Sequence, residues 1–358
     1  MSKETEWGSP DSLICAECGT FAVAGSRFCE NCGTALHEPP ADPVVAATVA
    51  DPAPVIAPCV QCGGAVAADG YCTQCGAAAE SERDHFVLDA NPDLGGVCNR
   101  GVKHHRNEDA LALDQVGALA FLVVCDGVSS APASDIASMA AVEAALRELT
   151  TRVPGGVDEI DGSATDRTKA WAAQLVSAAE QANAAVLQVQ TEEAGDSPSC
   201  TYVAAVVDQT RVVVASVGDS RAYWLPDDEP AQQLTRDDSW AQEMIELGHS
   251  ASQVASSPQA HAITRWLGAD APELTPRTDT TVFNGPGWLL LCSDGLWNYC
   301  SNASDLATLV RSTAAELGTQ ASAAEVAGGL VSWANAQGGR DNVTVGLWRH
   351  SVREPAHS

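Results

Sequence analysis

From residue 93 to about residue 350 the chain alternates between two hydrophobic rhythms. Nearly unbroken apolar runs at 119–125, 202–207, 212–217 and 288–292 read as buried strands. Ala-rich stretches at 133–151, 166–191, 303–317 and 322–337 carry helical spacing. The strands come in clusters with few helices between them. That grouping predicts an α+β fold of antiparallel sheets with helices packed outside, not a parallel doubly wound sheet.

Ahead of residue 93 the periodicity stops and cysteine spacing takes over. Cys15/Cys18, Cys29/Cys32, Cys59/Cys62 and Cys72/Cys75 make four Cys-x-x-Cys-Gly knuckles. They form two copies of one unit, spaced C-x2-C-x10-C-x2-C and C-x2-C-x9-C-x2-C. Two knuckles supply four thiolates, a closed tetrahedral set for one structural Zn²⁺. So short a unit builds no core of its own, and the metal carries its folding. Both copies resemble the bacterial zinc-ribbon family. Between them, residues 38–58 hold six prolines in 21 positions, an extended linker. The expected division is a first ribbon at 1–37, the linker at 38–58, a second ribbon at 59–79, a charged joint at 80–92, a large domain at 93–350 and a tail at 351–358.

The 358 residues carry a formal net charge of −28, which argues against general binding to nucleic acid or to anionic membranes. No apolar run approaches the length of a membrane span, and the first ten residues are polar and charged, so neither anchor nor signal peptide is expected. Paired spacing among the 13 cysteines reads as metal binding in a reducing, cytoplasmic compartment. Few basic residues flank the knuckles, so the ribbons are expected to meet a protein partner.

Candidate chemistry lies at the ends of the apolar runs. Asp126-Gly127 and Asp294-Gly295 each close a strand, Asp219 closes a third, and Asp341 stands where another begins. Asn107-Glu108-Asp109 adds two more carboxylates. Taken singly, an Asp-Gly pair is an ordinary turn. Converging carboxylates repel unless cations lie between them, and oxygen donors suit Mg²⁺ or Mn²⁺.

The ordered set Asn107-Glu108-Asp109, Val124-Cys-Asp126-Gly127, Gly218-Asp219-Ser-Arg221, Ser293-Asp294-Gly295 and Asp341-Asn342 resembles the metal-dependent protein phosphatases of the PPM (type 2C) family. The resemblance spans roughly residues 95–348. It implies an α-β-β-α sandwich of two antiparallel sheets flanked by helices. It implies hydrolysis of phosphoserine and phosphothreonine in proteins, opposing a serine/threonine kinase, by a water that bridges two divalent metals. By position, Asp126 would bridge both ions, the Gly127 carbonyl would join the second, and Asp294 and Asp341 would complete the first. Glu108 and Asp109 would hold metal-bound waters, and Asp219 would help bind a third ion.

The chain departs from that pattern in several places. His104 stands where many members carry a phosphate-gripping Arg, within the basic run Lys103-His104-His105-Arg106. Asn99 replaces a common Asp, Ser129-Ser130 replaces a common glycine pair, and Val128 provides no proton for the leaving group. These departures sustain an alternative, a catalytically weak phosphatase-like protein that binds phosphoproteins or other ligands. Lone side chains are set aside: Cys125 and Cys292 as small core residues, His249 and His261 as non-ligands, and Trp266, Trp288 and Trp333 as core.

Overall fold

In the computed structural model the described residues are 13–14, 21–22, 58–59, 62–67, 70–76, 79, 81–151, 164–191, 197–208 and 211–351. The chain divides into two compact units, Met1–Ala57 and Pro58–Ser358. Of the first unit, two short strands are described, β1 (Leu13–Ile14) and β2 (Phe21–Ala22), paired antiparallel. Cys15, Cys18, Cys29 and Cys32 lie outside the described residues.

The second unit is built on two antiparallel sheets. One is six-stranded, in the order β11 (Gln232–Gln233), β10 (Arg221–Pro226), β14 (Gly287–Cys292), β15 (Val343–His350), β4 (Leu94–Asn99), β3 (His85–Asn91). The other is five-stranded, in the order β13 (Arg277–Val282), β9 (Arg211–Val217), β8 (Tyr202–Asp208), β6 (Leu119–Cys125), β5 (Ala110–Val116). A small pair joins β7 (Ser199–Cys200) to β12 (Leu267–Gly268). Helices α1 (Ser134–Thr151) and α2 (Ala164–Val186) pack on the five-stranded sheet. Helices α6 (Ala303–Leu317) and α7 (Ala323–Ala336) pack on the six-stranded one. Between these pairs come three short helices, α3 (Trp240–Glu246), α4 (Ala251–Ala255) and α5 (Asp294–Trp297).

Strand periodicity explains the layering. In β6, Leu119, Phe121, Val123 and Cys125 face the α1/α2 layer, whereas Ala120, Leu122 and Val124 face the opposite sheet. In β14, Trp288, Leu290 and Cys292 face α6 and α7, and Leu289 and Leu291 turn inward. A strand buried on both faces needs apolar side chains at every position, which is why these runs show no alternation. Three hydrophobic layers result, and the expected helix–sheet–sheet–helix arrangement is borne out.

The helix ends follow their capping residues. Ser322 and Glu325 form a reciprocal capping box at the start of α7, and the Asn302 side chain accepts from the backbone N–H groups of Ser304 and Asp305 at the start of α6. Helix α2 stops at Val186, short of the expected 191.

The stretch 80–92, expected as a joint, contains β3, an edge strand paired with β4. Its charged, partly exposed residues hide it, because an edge strand buries little on either face. Strand β4 was obscured by Gly95 and Gly96. A Cβ on Gly95 would stand 2.6 Å from the backbone nitrogen of Ala324, so the glycine is what lets α7 lie directly on the sheet. Gly95→Val is expected to push α7 off β4 and destabilise the domain by about 1–3 kcal/mol, read as a lower urea midpoint. An unchanged midpoint would show that this approach contributes nothing.

Candidate metal and phosphate centre

Antiparallel pairing gathers the carboxylates at one end of the sandwich. In the six-stranded sheet, Cys292 pairs with Val345, and Val343 pairs with Asn99. The end of β14, the start of β15 and the end of β4 therefore share an edge, where Asp294 and Asp341 lie. In the five-stranded sheet, Ala110 pairs with Cys125 and Tyr202 with Val217. Asp109, Asp126 and Asp219 occupy that edge. Hydrogen bonds tie the two edges together. The Ser293 hydroxyl donates to Asp109 Oδ2 (2.6 Å), and the Glu108 backbone N–H donates to Asn342 Oδ1 (2.7 Å).

The loop after β6 is fixed at every step. Thr201 Oγ1 accepts from the Asp126 N–H (2.9 Å), and the Asp126 carbonyl accepts from the Thr201 N–H (2.7 Å). The Gly127 N–H donates to the Glu108 carbonyl (3.1 Å). A Cβ on Gly127 would fall 2.7 Å from the carbonyl oxygens of both Glu108 and Ser134, so only glycine fits there. Ala133 adopts a left-handed conformation (φ 50°) and turns the chain into α1.

Burial and mutual repulsion dominate the electrostatics. Removal from water raises the Asp126 carboxyl far above its ordinary range, and the charges of Asp109, Asp294, Asp341 and Asp219 raise it further. Asp294 is raised by burial and then by Asp219, Asp341 and Asp109. Burial pushes Asp109 up to about 6, with hydrogen bonds from Ser293 and Thr344 pulling the other way. Burial and the charge of Asp237 push Asp219 up to about 7, although Arg221 lowers it. Asp109 Oδ1 and Asp294 Oδ1 are buried and have no hydrogen-bond partner. Unpaired carboxylate oxygens among like charges are a costly arrangement for protein alone and a fitting one for hard divalent cations. Among the described residues, no three of these carboxylates bring oxygens within 4.8 Å of one another.

Glu108 differs from its neighbours. Burial works against its charge, but hydroxyls of Ser129 (2.6 Å, to Oε2) and Ser134 (2.6 Å, to Oε1), together with Arg106 (2.6 Å), hold it below the usual range. Both oxygens are thus engaged within the protein. Ser129, flagged in the sequence only as a departure, is one of the clamping groups. His104 Nε2 lies 3.2 Å from Asp341 Oδ1, so the imidazole expected at the phosphate stands against a carboxylate of the centre. Near Asp219, the Arg221 guanidinium forms a two-pronged ion pair with Asp237 and stacks 3.7 Å over Trp297, whose indole N–H donates to the Asp219 carbonyl. Asp237, Ser134 and Thr201 were given no role from sequence.

A second cluster lies at 59–75. The sulfurs of Cys59, Cys62, Cys72 and Cys75 fall within 4.8 Å of one another, the one such group of metal-ligating side chains among the described residues. Backbone N–H groups of Cys75 and Gln74 hold the Cys72 thiol down to about 6, toward the thiolate that a soft metal binds.

Carboxylates pooled from the ends of two stacked sheets offer the oxygen donors that hard divalent cations take in hydrolytic centres. Comparison with known proteins agrees with that geometry. The model of the protein phosphatase 2C family matches residues 100–331. The serine/threonine phosphatase stp of Listeria innocua is 28% identical over 257 residues, which cover 71% of this chain and 93% of that protein. The serine/threonine protein phosphatase PstP of Mycobacterium tuberculosis is 30% identical over 249 residues, 69% of this chain and 43% of that protein. Among solved structures, the M. tuberculosis phosphatase PstP/Ppp superposes with a TM-score of 0.56 at 26% identity, covering 75% of this chain and all of that one. The PstP catalytic domain in complex with two manganese ions superposes at 0.53 and 26%, covering 72% and 97%. The chain belongs to the protein phosphatase 2C family.

The raised carboxyls set the pH response of the metal-stripped protein. Asp109 and Asp219 titrate from an unfolded value of 3.8 to folded values of about 6 and about 7. The folded state binds more protons across that interval, so stability is greatest near the low end and falls as pH rises. Thermal melts in EDTA should therefore show a decline between about pH 4 and pH 7, and added Mn²⁺ should remove it. A stripped protein that gains stability over this range would contradict the assigned crowding.

Proposed function

We propose that Asp126, Gly127, Asp294 and Asp341 hold two divalent cations, Mg²⁺ or Mn²⁺, with which this chain hydrolyses phosphoserine and phosphothreonine in proteins. The chain is a serine/threonine protein phosphatase. The observation that carries the metal assignment is the mutually repelling, half-buried to buried carboxylate cluster, with buried unpaired oxygens on Asp109 and Asp294. The PstP catalytic domain, similar over 72% of this chain, is described as a complex with two manganese ions.

Bound there, the cations would supply Lewis acidity toward the phosphoryl group and a water made acidic enough to attack at neutral pH. The protein's own groups do the rest. Asp126, just past the end of β6, would serve both ions. Asp109 would position water, and Asp219 would support a third ion. Glu108, ionised by its serine and arginine donors, would add a fixed negative charge or accept from ordered water. His104 would face the phosphate from beside Asp341. Val128 carries no proton, so the departing alkoxide takes one from water or another donor. The intact carboxylate set weighs against the non-catalytic binding reading.

At the other end of this unit we assign Zn²⁺ to Cys59, Cys62, Cys72 and Cys75. The sulfur separations of 3.4–3.5 Å for three of the pairs approach the roughly 3.8 Å edge of a tetrahedral four-thiolate zinc site. The same spacing in Cys15, Cys18, Cys29 and Cys32 supports a second zinc. The two ribbons form an arm for a protein partner, and the substrate is the product of a serine/threonine kinase in a reducing, cytoplasmic setting. Among the described residues no helix is long and apolar enough to cross a membrane.

With Mn²⁺ the protein should hydrolyse a phosphothreonine peptide, and Asp126→Asn should lower kcat at least about 100-fold. Equal rates in the variant, or full activity in EDTA, would remove the proposed centre. Protein purified without chelators should hold about two zinc ions per chain by elemental analysis, and Cys62→Ser about one. Retention of both by the variant would place the metal elsewhere.

A further inference from the structure

A cavity of about 450 Å³ opens beside the carboxylate centre and belongs to no part of the machinery described above. One wall is the loop that follows Asp126-Gly127, through Val128 and Ser130, and the other is the segment that carries His261, Ile263, Trp266 and Asp270. Its size falls within the range of true ligand pockets. Its position is fixed by the centre itself. Gly127 bridges Cys200, and the Val128 N–H donates to the Ser199 carbonyl (3.0 Å). Val128 is two residues beyond Asp126, roughly 7 Å along the chain. A peptide whose phosphoresidue sits at the centre would place a neighbouring side chain here.

Trp266, read from sequence as core, is only partly buried and lines this space. Its indole N–H donates to Asp270 Oδ1 (2.9 Å), which fixes the ring and leaves the carboxylate exposed at the rim. No lysine or arginine is among the lining residues, and the one basic side chain is His261. An aromatic face beside a carboxylate, in a chain of net charge −28, attracts a cation and repels an acid.

We propose that this cavity is a specificity pocket for a lysine or arginine side chain flanking the phosphoserine or phosphothreonine of the substrate. The aliphatic stem lies along Val128 and Ile263, the charged head stacks on Trp266, and Asp270 neutralises it. The assignment rests on the phosphatase reading and adds the class of phosphoprotein that the site selects, one with a basic residue near the phosphate.

The test uses the full chain with Mn²⁺ and phosphothreonine peptides that differ at a single position, scanned from three residues before to three residues after the phosphoresidue, with Arg, Ala, Leu or Glu placed there. At one position kcat/KM should favour Arg over Ala by about tenfold and over Glu by more, mainly through KM. The Arg/Ala ratio should fall toward one in Trp266→Ala. Asp270→Lys, at an exposed position, should reverse the order so that Glu is preferred, and this variant decides the matter should Trp266→Ala fail to fold. No discrimination at any position, a preference for Leu over Arg, or an Arg preference that survives Asp270→Lys would overturn the pocket. Hydrolysis of para-nitrophenyl phosphate by the unaltered protein separates the two ideas. Turnover of that small ester without peptide discrimination sinks the pocket alone, whereas no turnover of either substrate sinks the phosphatase reading on which it depends.

Discussion

The structure turns on carboxylates that should not be together. Asp109, Asp126, Asp219 and Asp294 come from strand ends of two sheets, Asp109 and Asp219 buried and Asp126 and Asp294 half-buried. Like charges buried this closely oppose folding unless they are protonated or share cations. The surrounding fold works to hold them there regardless. Ser293 and Asn342 lace the sheet edges together, and glycine at 127 lets two loops pass within van der Waals limits. Rigidity of this kind is what a metal site requires, because the ligands must be in place before the ion arrives.

The central layers were legible because they obey one rule. Strands β6, β8, β9 and β14 are buried on both faces, so each announces itself as an unbroken apolar run, and each sits where that pattern placed it. Helices α6 and α7 were legible from their period alone, with ends matching to within a residue. Strands that break the rule escaped notice. Strand β13 reads Arg-Thr-Asp-Thr-Thr-Val, the composition of a solvent-facing edge, and β4 gave Gly95 to a helix contact and Gly96 to close packing against Leu111 and Val345. Within the centre, the carboxylates could be found by their place at strand ends. The hydroxyls that clamp Glu108 could not, since Ser129 and Ser134 acquire their role only when α1 folds back over the loop.

An acidic phosphatase faces an electrostatic difficulty. A phosphoryl dianion approaches a chain of net charge −28 whose active centre is itself built from aspartates. The chain's own cations offer little relief. Arg106 is bound to Glu108, Arg221 to Asp237, and the buried Asp238 is flanked by Arg265 and Arg277. His104 leans on Asp341. Divalent ions would supply the larger attraction for phosphate, because their charge at the centre exceeds that of any single side chain. The same acidity that discourages the phosphate favours basic residues around it, so charge outside the reacting bond becomes a means of selection.

The two metal chemistries are kept apart by ligand type. Four thiolates suit a soft ion and would leave no position for substrate, which would make the cysteine unit a scaffold. Oxygen ligands at the sheet edges leave hard ions partly hydrated, which makes that centre reactive. Neither donor set suits the other's metal well, and one chain can carry both without exchange between them. The cysteine cluster at 59–75 leads directly into β3, the edge strand that completes the six-stranded sheet. In the sheet order β3 lies three places from β14, where Asp294 begins its helix.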